Sequence, residues 1–342
     1  MEVLKHPELW MKSYLAGRME RLLSLSARPS RVWVAITDHY EPLGRRNSLT
    51  DAMACVSDWR NRWERIADQT PRDGRGRRPS YSFFYPQEEY QREVVEGIAE
   101  IVRAGLGDVE VHLHHAHETR EGFVRKVKEF LSRLRGEHGL LREINGRTVF
   151  GFIHGNWALD NSLPGGRHCG LDGELALLRE LGCYADFTQP AAPSPAQGRI
   201  VNQIYFASPG AARRRSFDHG TRARGGAGIQ DGLMMITGPF ALRYQGRLLP
   251  RIDTGELAHY DMPTPYRVRR WFDVAPRIGQ DMFIKLYSHG GHDSNREALL
   301  GSGLKDLYSM LAEEAGRRSI ETRWVSAWEM YSAAKALIVS PE

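Results

Sequence analysis

The sequence has few cysteines and no long apolar run, and these two absences exclude several classes of protein. Its 342 residues include three cysteines, Cys55, Cys169 and Cys183, an odd number too small for a disulfide framework. The longest apolar runs, such as Val32 to Ile36, fall far short of the roughly 20 residues that a membrane-spanning helix needs. We therefore expect neither a disulfide-stabilised domain nor a membrane-spanning protein.

The sequence also lacks a recognisable targeting signal and a strong excess of one charge. The first ten residues carry Glu2, Lys5, His6 and Glu8, where a secretory signal has a basic stretch and an apolar core. The net charge of +5 is the small difference between 47 basic and 42 acidic residues. These features predict a cytoplasmic protein with a mixed surface, and they do not indicate a nucleic-acid partner.

Several common catalytic motifs are absent as well. The sequence contains no His-Glu-x-x-His, no Gly-x-Ser-x-Gly, no phosphate-binding Walker loop and no Gly-x-Gly-x-x-Gly opening a helix. Serine hydrolases, nucleotide hydrolases and dinucleotide-dependent oxidoreductases are therefore disfavoured.

Short β-branched and aromatic runs alternate with amphipathic stretches along nearly the whole chain. The predicted strands are Val32 to Thr37, Tyr81 to Tyr85, Val109 to His114, Thr148 to His154, Ala185 to Thr188, Leu233 to Thr237, Phe283 to Ser288 and Thr322 to Ala327. The predicted helices between them include Gln87 to Ala104, Arg120 to Arg135, Gly173 to Leu181 and Gly303 to Ala315. This alternation predicts an α/β fold, either a barrel or a doubly wound sheet, and we favour an irregular (β/α) barrel of about seven parallel strands over residues 31–342.

Residues 1–30 form a separate N-terminal segment in this interpretation. Leu9 to Leu25 is predicted to be a helix that docks on the barrel through Leu15, Met19, Leu22 and Leu23, with the basic residues elsewhere on its surface. The alternative is a helix that lies on a membrane surface, which would be a peripheral membrane contact.

Four predicted strands run directly into segments that carry histidine. These segments begin at Asp38-His39, His112, His154 and Ser288-His289. Because the carboxyl ends of parallel strands meet at one edge, we expect these side chains to share a site.

The segment His112 to His117 gives the strongest indication of a metal. Side chains two residues apart in a strand share a face, so His112 and His114 are predicted to point together into the site while Leu113 packs outward. Two imidazoles at this spacing suit Zn²⁺ or another divalent transition metal. His115 and His117 lie beyond the strand, and which of the four histidines bind the metal remains open.

A further ligand is expected from Asp38 and His39, where an acid and an imidazole stand together at a strand end. One of the two would bind the metal, and the other would act on water as a base. His289, from a late strand, could then deliver a proton to the leaving group. Amide hydrolysis requires this division of labour.

The segment after the fourth strand suits a sugar. His154, Asn156 and Asp160 offer hydrogen-bonding groups beside the flat indole of Trp157, and we predict that these four residues bind substrate. The alternative is a structural loop in which Asn156 and Asp160 satisfy backbone amides.

These residues resemble the polysaccharide deacetylases of carbohydrate esterase family 4 and their wider superfamily, whose fold is an irregular (β/α) barrel. In that family the first strand ends in Thr-Phe-Asp-Asp, and Thr37-Asp38-His39 is similar to a divergent form of it. The resemblance implies that Asp38 is the catalytic base and His39 a metal ligand. A late strand ending in Leu-x-His supplies the general acid of the family, a role that falls on His289 after Leu286.

The second family motif, His-Ser/Thr-x-x-His, has no counterpart in residues 112–117. The sequence is more similar to a divergent bacterial subgroup that shares Thr-Asp-His-x-Glu-Pro, His-Leu-His-His, the run from Gly151 to Ser162, Tyr-Ala-Asp-Phe-Thr and Lys-Leu-x-x-His-Gly. These strings extend from Thr37 to Gly290. Members of the subgroup resemble enzymes of surface-polysaccharide assembly.

The resemblance implies a metal-dependent carbohydrate N-deacetylase, a zinc hydrolase that removes an N-acetyl group from an amino sugar of a bacterial polysaccharide or its precursor. One alternative is a glycoside hydrolase on a related barrel, which would need two carboxylates flanking the bond. A second is a carbohydrate-binding or assembly protein that kept the fold and lost the chemistry.

Overall fold

A computed structural model describes residues 5–23, 28–44, 48–208, 213–244 and 250–340. Its helices are α1 (Pro7–Leu23), α2 (Leu49–Gln69), α3 (Arg92–Arg103), α4 (Arg120–Gly136), α5 (Glu174–Leu181), α6 (Pro265–Val274), α7 (Asp293–Ala298), α8 (Leu304–Arg317) and α9 (Ala327–Val339). Its longer strands are β1 (Arg31–His39), β2 (Tyr81–Pro86), β3 (Gly107–Leu113), β5 (Arg147–His154), β6 (Cys183–Asp186), β7 (Ile204–Ala207), β9 (Leu233–Ile236), β14 (Asp281–Ser288) and β15 (Glu321–Trp324). The remaining strands are β4 (Arg142–Ile144), β8 (Gly220–Arg222), β10 (Ala241–Arg243), β11 (Arg251–Asp253), β12 (Glu256–Leu257) and β13 (Arg277–Ile278).

The strand and helix predictions are confirmed at the level of elements. All eight predicted strands are present, as β1, β2, β3, β5, β6, β9, β14 and β15, and the four predicted helices correspond to α3, α4, α5 and α8. The run after Tyr85 becomes helical later than predicted, because a short 3₁₀ turn over Gln87–Glu89 precedes α3. Apolar periodicity therefore locates these elements well.

The strands form a large, mostly parallel sheet. Its main order is β12-β14-β1-β2-β3-β5-β6-β9-β7-β8, and with β4, β13 and β15 on its sides it contains 13 strands. β1 pairs in parallel with β14, β2 and β15, whereas β7 is antiparallel to both of its neighbours. The α/β class is confirmed, but the predicted strand number is wrong, because short antiparallel strands extend the sheet. Within the described residues, β12 and β8 are the two ends of this order and do not pair with each other, so the strands do not form a closed barrel.

The two faces of β1 pack against different layers. Val32, Val34 and Ile36 belong to a core shared with α2, α3, α4 and α8. Trp33 and Ala35 belong to a second core, which contains side chains from the other strands and from α9. Because neighbouring side chains of a strand point to opposite faces, this alternation decides which residues beyond Ala35 can reach a common site.

Helix α1 docks through a different face from the one predicted. Trp10 is fully buried and packs against Phe240 with ring centroids 4.7 Å apart and the ring planes tilted by 44°, and Tyr14 packs beside it. The predicted docking residues are exposed instead, from 53% for Leu15 to 78% for Leu22. Aromatic side chains bury more area than aliphatic ones, so the two rings determine the docked face. Leu25 lies outside the described residues. None of the helices in the described ranges is long and apolar enough to cross a membrane.

The docking of α1 predicts unequal effects of truncating its two faces. Trp10→Ala should lower the free energy of unfolding by about 3 kcal/mol, because it removes a buried indole and leaves a cavity. The matched control, Leu22→Ala on the exposed face, should change it by less than about 0.5 kcal/mol. Denaturant unfolding curves measure both. A larger loss for Leu22→Ala would show that the helix docks through the face predicted from the sequence, and equal losses would contradict the docked face described here.

Candidate functional site

A cavity of about 460 Å³ lies at the carboxyl ends of the parallel strands. Its wall includes His39, Glu41, His114, Asn156, Trp157 and His289, which come from four separate strand ends. The expectation that the histidine-bearing strand ends share one site is therefore confirmed for these residues.

The pairing of β1 with β14 brings His39 and His289 together. Asp38 lies opposite Ser288 in the parallel register. His39 directly follows Asp38, and His289 directly follows Ser288. Their ring centroids are 4.8 Å apart. His39 follows Trp33 and Ala35 at an even number of residues along the strand, so its side chain lies on the same face as theirs. That face leads into the cavity.

His39, Glu41 and His112 form a buried group that could hold a metal ion. One ligand atom of each lies within 4.8 Å of the other two. The Nδ1 of His112 donates to the carbonyl oxygen of Ile153 at 2.8 Å, and its Nε2 is hydrogen-bonded to Glu41 Oε1 at 3.0 Å, so Nε2 is the atom directed into the group. A histidine whose second nitrogen is fixed by a carbonyl is typical of metal sites.

The electrostatics of this group favour metal binding. Burial, together with His289 and His112, lowers the pKa of His39 well below its ordinary value, so its ring is neutral. Burial alone would raise the pKa of Glu41, but the hydrogen bonds with His112 and His114 outweigh it and hold this pKa well below its usual range. A neutral imidazole and an ionised carboxylate are the forms that bind a divalent cation.

His114 shares the face of His112, as predicted, and Leu113 packs on the other side of the sheet. However, its ring lies between two carboxylates, with Nδ1 2.5 Å from Glu88 Oε1 and Nε2 3.3 Å from Glu41 Oε1. Burial opposes protonation here, but the two glutamates prevail and raise the pKa of His114 to about 10. A protonated imidazole has no free lone pair, and His114 is outside the mutually close group of His39, Glu41 and His112.

Asp38 lies on the opposite face from His39. Its Oδ1 accepts a hydrogen bond from the Gly290 amide at 2.7 Å, and its Oδ2 accepts one from the Tyr81 hydroxyl at 3.1 Å. The carboxylate is fully buried near Trp59 of α2, and burial raises its pKa to about 7. Asp38 is therefore not part of the cavity wall and instead fixes the turn that follows His289.

Two of the four predicted substrate-binding residues line the cavity. Asn156 is exposed and Trp157 is half-buried, and both have left-handed backbone conformations with φ of 54°. His154 and Asp160 are completely buried and do not line it. Asp160 accepts hydrogen bonds from Ser216, which corresponds to the structural alternative for this residue. Left-handed backbone is unusual for a residue as large as tryptophan and holds the indole at the cavity.

A second buried group lies behind this segment. It contains His115, His154, Cys169 and Glu174, whose ligand atoms lie within 4.8 Å of one another. The rings of His115 and His154 have centroids 4.4 Å apart. All four residues are buried, and none of them lines the cavity.

Sequence reasoning missed Glu41, Glu174 and the grouping of Cys169 with histidines. Glu41 had a usable signal, because it lies two residues beyond His39 and so shares its face if the extended chain continues. Glu174 is the first residue of α5, and Cys169 lies in an irregular loop. No periodicity relates either of them to His115 or His154.

Comparisons with protein-family models and with curated proteins find no match for the chain. The fold and the site geometry are thus the basis for the function proposed below.

The geometry predicts which histidines hold the metal at the cavity. His112→Ala should lose one equivalent of bound metal, because it removes a member of the buried group, whereas His114→Ala should keep it. Elemental analysis of the purified variants against the wild type measures the change. The sequence-based expectation that both histidines are ligands requires loss in both variants, so retention in His112→Ala or loss in His114→Ala would contradict the assignment made here.

Proposed function

We propose that the protein is a metal-dependent hydrolase that removes an N-acetyl group from an amino sugar of a bacterial polysaccharide or its precursor. The observation that carries the proposal is the buried group of His39, Glu41 and His112, of which His39 and Glu41 line one cavity together with His289 and Trp157. This arrangement provides metal ligands, a proton donor and an aromatic surface within reach of one substrate.

The residues of the buried group fit a divalent cation, and Zn²⁺ suits two imidazoles and one carboxylate in particular. A cation held there supplies Lewis acidity, which polarises an acyl carbonyl and lowers the pKa of water. Three protein ligands leave a coordination position free for substrate, as catalytic zinc sites require.

His289 is the proposed proton donor to the departing amine. It lines the cavity, and its ring lies 4.8 Å from that of His39 and 6.4 Å from that of Trp157, measured between centroids. An amine must be protonated to leave, and an imidazole is a common donor of such a proton.

Asp38 is proposed to position His289. Its hydrogen bond to the Gly290 amide fixes the backbone directly after the histidine, and Trp59 Nε1 donates to the Gly290 carbonyl oxygen at 3.0 Å. A side chain added at Gly290 would overlap the carboxylate of Asp38, so only glycine allows this close approach. The base role implied for Asp38 by the family resemblance stays a prediction.

Carbohydrate is the proposed substrate because of the cavity wall. The indole of Trp157 offers a flat surface for the C–H face of a sugar ring, and Asn156 offers hydrogen bonds to hydroxyl groups. Tyr260, 69% exposed, adds a second aromatic ring at the wall, and its hydroxyl donates a hydrogen bond to the Glu256 carboxylate at 3.0 Å. Negative charge at this position favours the ammonium group that deacetylation leaves on the sugar.

Two other functions make different predictions. A glycoside hydrolase would produce new reducing ends from an oligosaccharide, whereas the proposed enzyme releases acetate and leaves the glycosidic bonds intact. A carbohydrate-binding protein without catalysis would release neither product. Measuring acetate and reducing ends in one incubation with N-acetylated oligosaccharides separates the three.

The proton-donor role predicts the effect of replacing His289. His289→Ala should lower kcat on an N-acetylated oligosaccharide by roughly 10² to 10⁴, with little change in KM or in bound metal. The control is His219→Ala, because His219 is exposed and outside the cavity lining. If His289→Ala keeps the activity of the wild type, the proton-donor assignment is wrong.

The two roles considered for Asp38 differ in their pH dependence. A base gives the rate profile its acidic limb, so Asp38→Asn would remove this limb and lower kcat by roughly 10² to 10⁴. From the position of Asp38 on the helix-facing side, we expect the acidic limb to survive and the loss in kcat to be smaller. The pH profile of kcat, with metal content measured in parallel, decides between them. Disappearance of the limb with metal retained would establish Asp38 as the base.

A further inference from the structure

We infer that His115, His154, Cys169 and Glu174 form a second metal site, which binds a structural Zn²⁺ ion with four protein ligands. The site is separate from the cavity and independent of the proposed reaction. It joins the segment after β3, the end of β5, the loop that follows β5 and the first residue of α5.

The hydrogen bonds of the two histidines direct both Nε2 atoms at one buried point. His115 Nδ1 donates to the carbonyl oxygen of Cys169 at 3.3 Å, and His154 Nδ1 donates to that of Gly155 at 2.5 Å. Because a carbonyl oxygen only accepts, each Nδ1 carries a hydrogen, and Nε2 is the atom of each ring that can bind a cation. His154 Nε2 is buried and has no hydrogen-bond partner.

Both Nε2 atoms face the carboxylate of Glu174. His115 Nε2 lies 3.0 Å from Glu174 Oε1, and His154 Nε2 lies 3.7 Å from the same oxygen. The other oxygen, Oε2, accepts a hydrogen bond from the Asp160 amide at 2.7 Å, which fixes the orientation of the carboxylate. His115 Nε2 is hydrogen-bonded to Oε1, whereas His154 Nε2 has no partner. Two imidazole nitrogens and a carboxylate oxygen thus converge on one buried point, and a cation there would give His154 Nε2 a partner.

Burial and the neighbouring Glu174 carboxylate raise the pKa of the Cys169 thiol, so its thiolate would need a cation beside it. Two backbone contacts favour that form. The backbone amides of Asn161 and Leu171 both point at its Sγ, each with a nitrogen-to-sulfur distance of 3.4 Å. Two N–H donors stabilise negative charge on the sulfur, which is the form that binds zinc. Sγ also lies 3.5 Å from Glu174 Oε2, so the sulfur belongs to the same cluster.

The donor set and its spacing fit zinc. Two imidazoles, one thiolate and one carboxylate are its common ligands, and a tetrahedral ion places its ligand atoms about 3.3 to 3.8 Å apart. The four atoms here lie within 4.8 Å of one another, so small side-chain rotations complete the sphere. A site with four buried protein ligands has no position for substrate, which makes its role structural.

The ion would hold the loop that carries the cavity residues. His154 and Glu174 are at its two ends, and Asn156 and Trp157 follow His154 directly. Left-handed backbone at Asn156, Trp157, Asp160 and Asn161 is strained for residues other than glycine. Metal ligands on both sides of this segment compensate for that strain.

Cobalt substitution tests the site without depending on activity. A thiolate bound to Co²⁺ gives an intense near-ultraviolet charge-transfer band, and the group at the cavity contains no thiolate. We expect the band in the wild type at one equivalent of thiolate-bound cobalt per chain, and its loss in Cys169→Ala. His39→Ala should keep the band while it loses the other equivalent of metal.

Matched cysteine variants complete the test. The protein with both Cys55→Ala and Cys183→Ala retains a single thiol, so a band in this variant assigns Cys169 as the ligand even where Cys169→Ala does not fold. Absence of the band from cobalt-loaded wild type, or its persistence in folded Cys169→Ala, would overturn the proposal. Failure of the proposed deacetylase activity would leave the band unchanged, so the two proposals fail separately.

Discussion

The parallel pairing of β1 with β14 is the constraint on which the candidate site depends. It runs without a shift from Arg31 opposite Asp281 to Asp38 opposite Ser288. The two strands therefore end at the same level of the sheet, and His39 and His289 lie side by side. A shift of one residue in this register would send one of the two rings to the helix-facing side and separate the candidate metal ligand His39 from the proposed proton donor His289.

The sequence predicts those parts of the molecule that follow a regular period. The α/β class, eight strands and the common face of His112 and His114 all follow from apolar runs and strand alternation. The same alternation places Asp38 and His39 on opposite faces, a distinction that motif resemblance alone does not make. The docked face of α1 was predicted wrongly, because periodicity locates an apolar stripe but does not weigh the burial of Trp10 against it.

The parts that could not be predicted depend on contacts between distant, irregular segments. Glu174 begins a helix, and Cys169 lies in a loop whose left-handed residues have no signature in a single sequence. The pairing of β3 with β5 brings together the segments that carry His115 and His154, and Glu174 and Cys169 reach them from outside the sheet. The two histidine clusters then lie on opposite faces of the same two strands, with His112 bonded to the Ile153 carbonyl on one face and His154 turned to the other.

Two glycines, Gly155 and Gly290, directly follow histidines at strand ends, and their substitution would disturb the cavity. A side chain at Gly155 would overlap the ring of His114, as one at Gly290 would overlap Asp38. Neither glycine has a functional group, yet a change to alanine at either position displaces a residue of the cavity or its support. A natural variant with alanine at Gly155 or Gly290 would therefore indicate a damaged site, as would a variant that had lost a charged residue of the cavity. Tolerance of many substitutions at His219 would carry no such information.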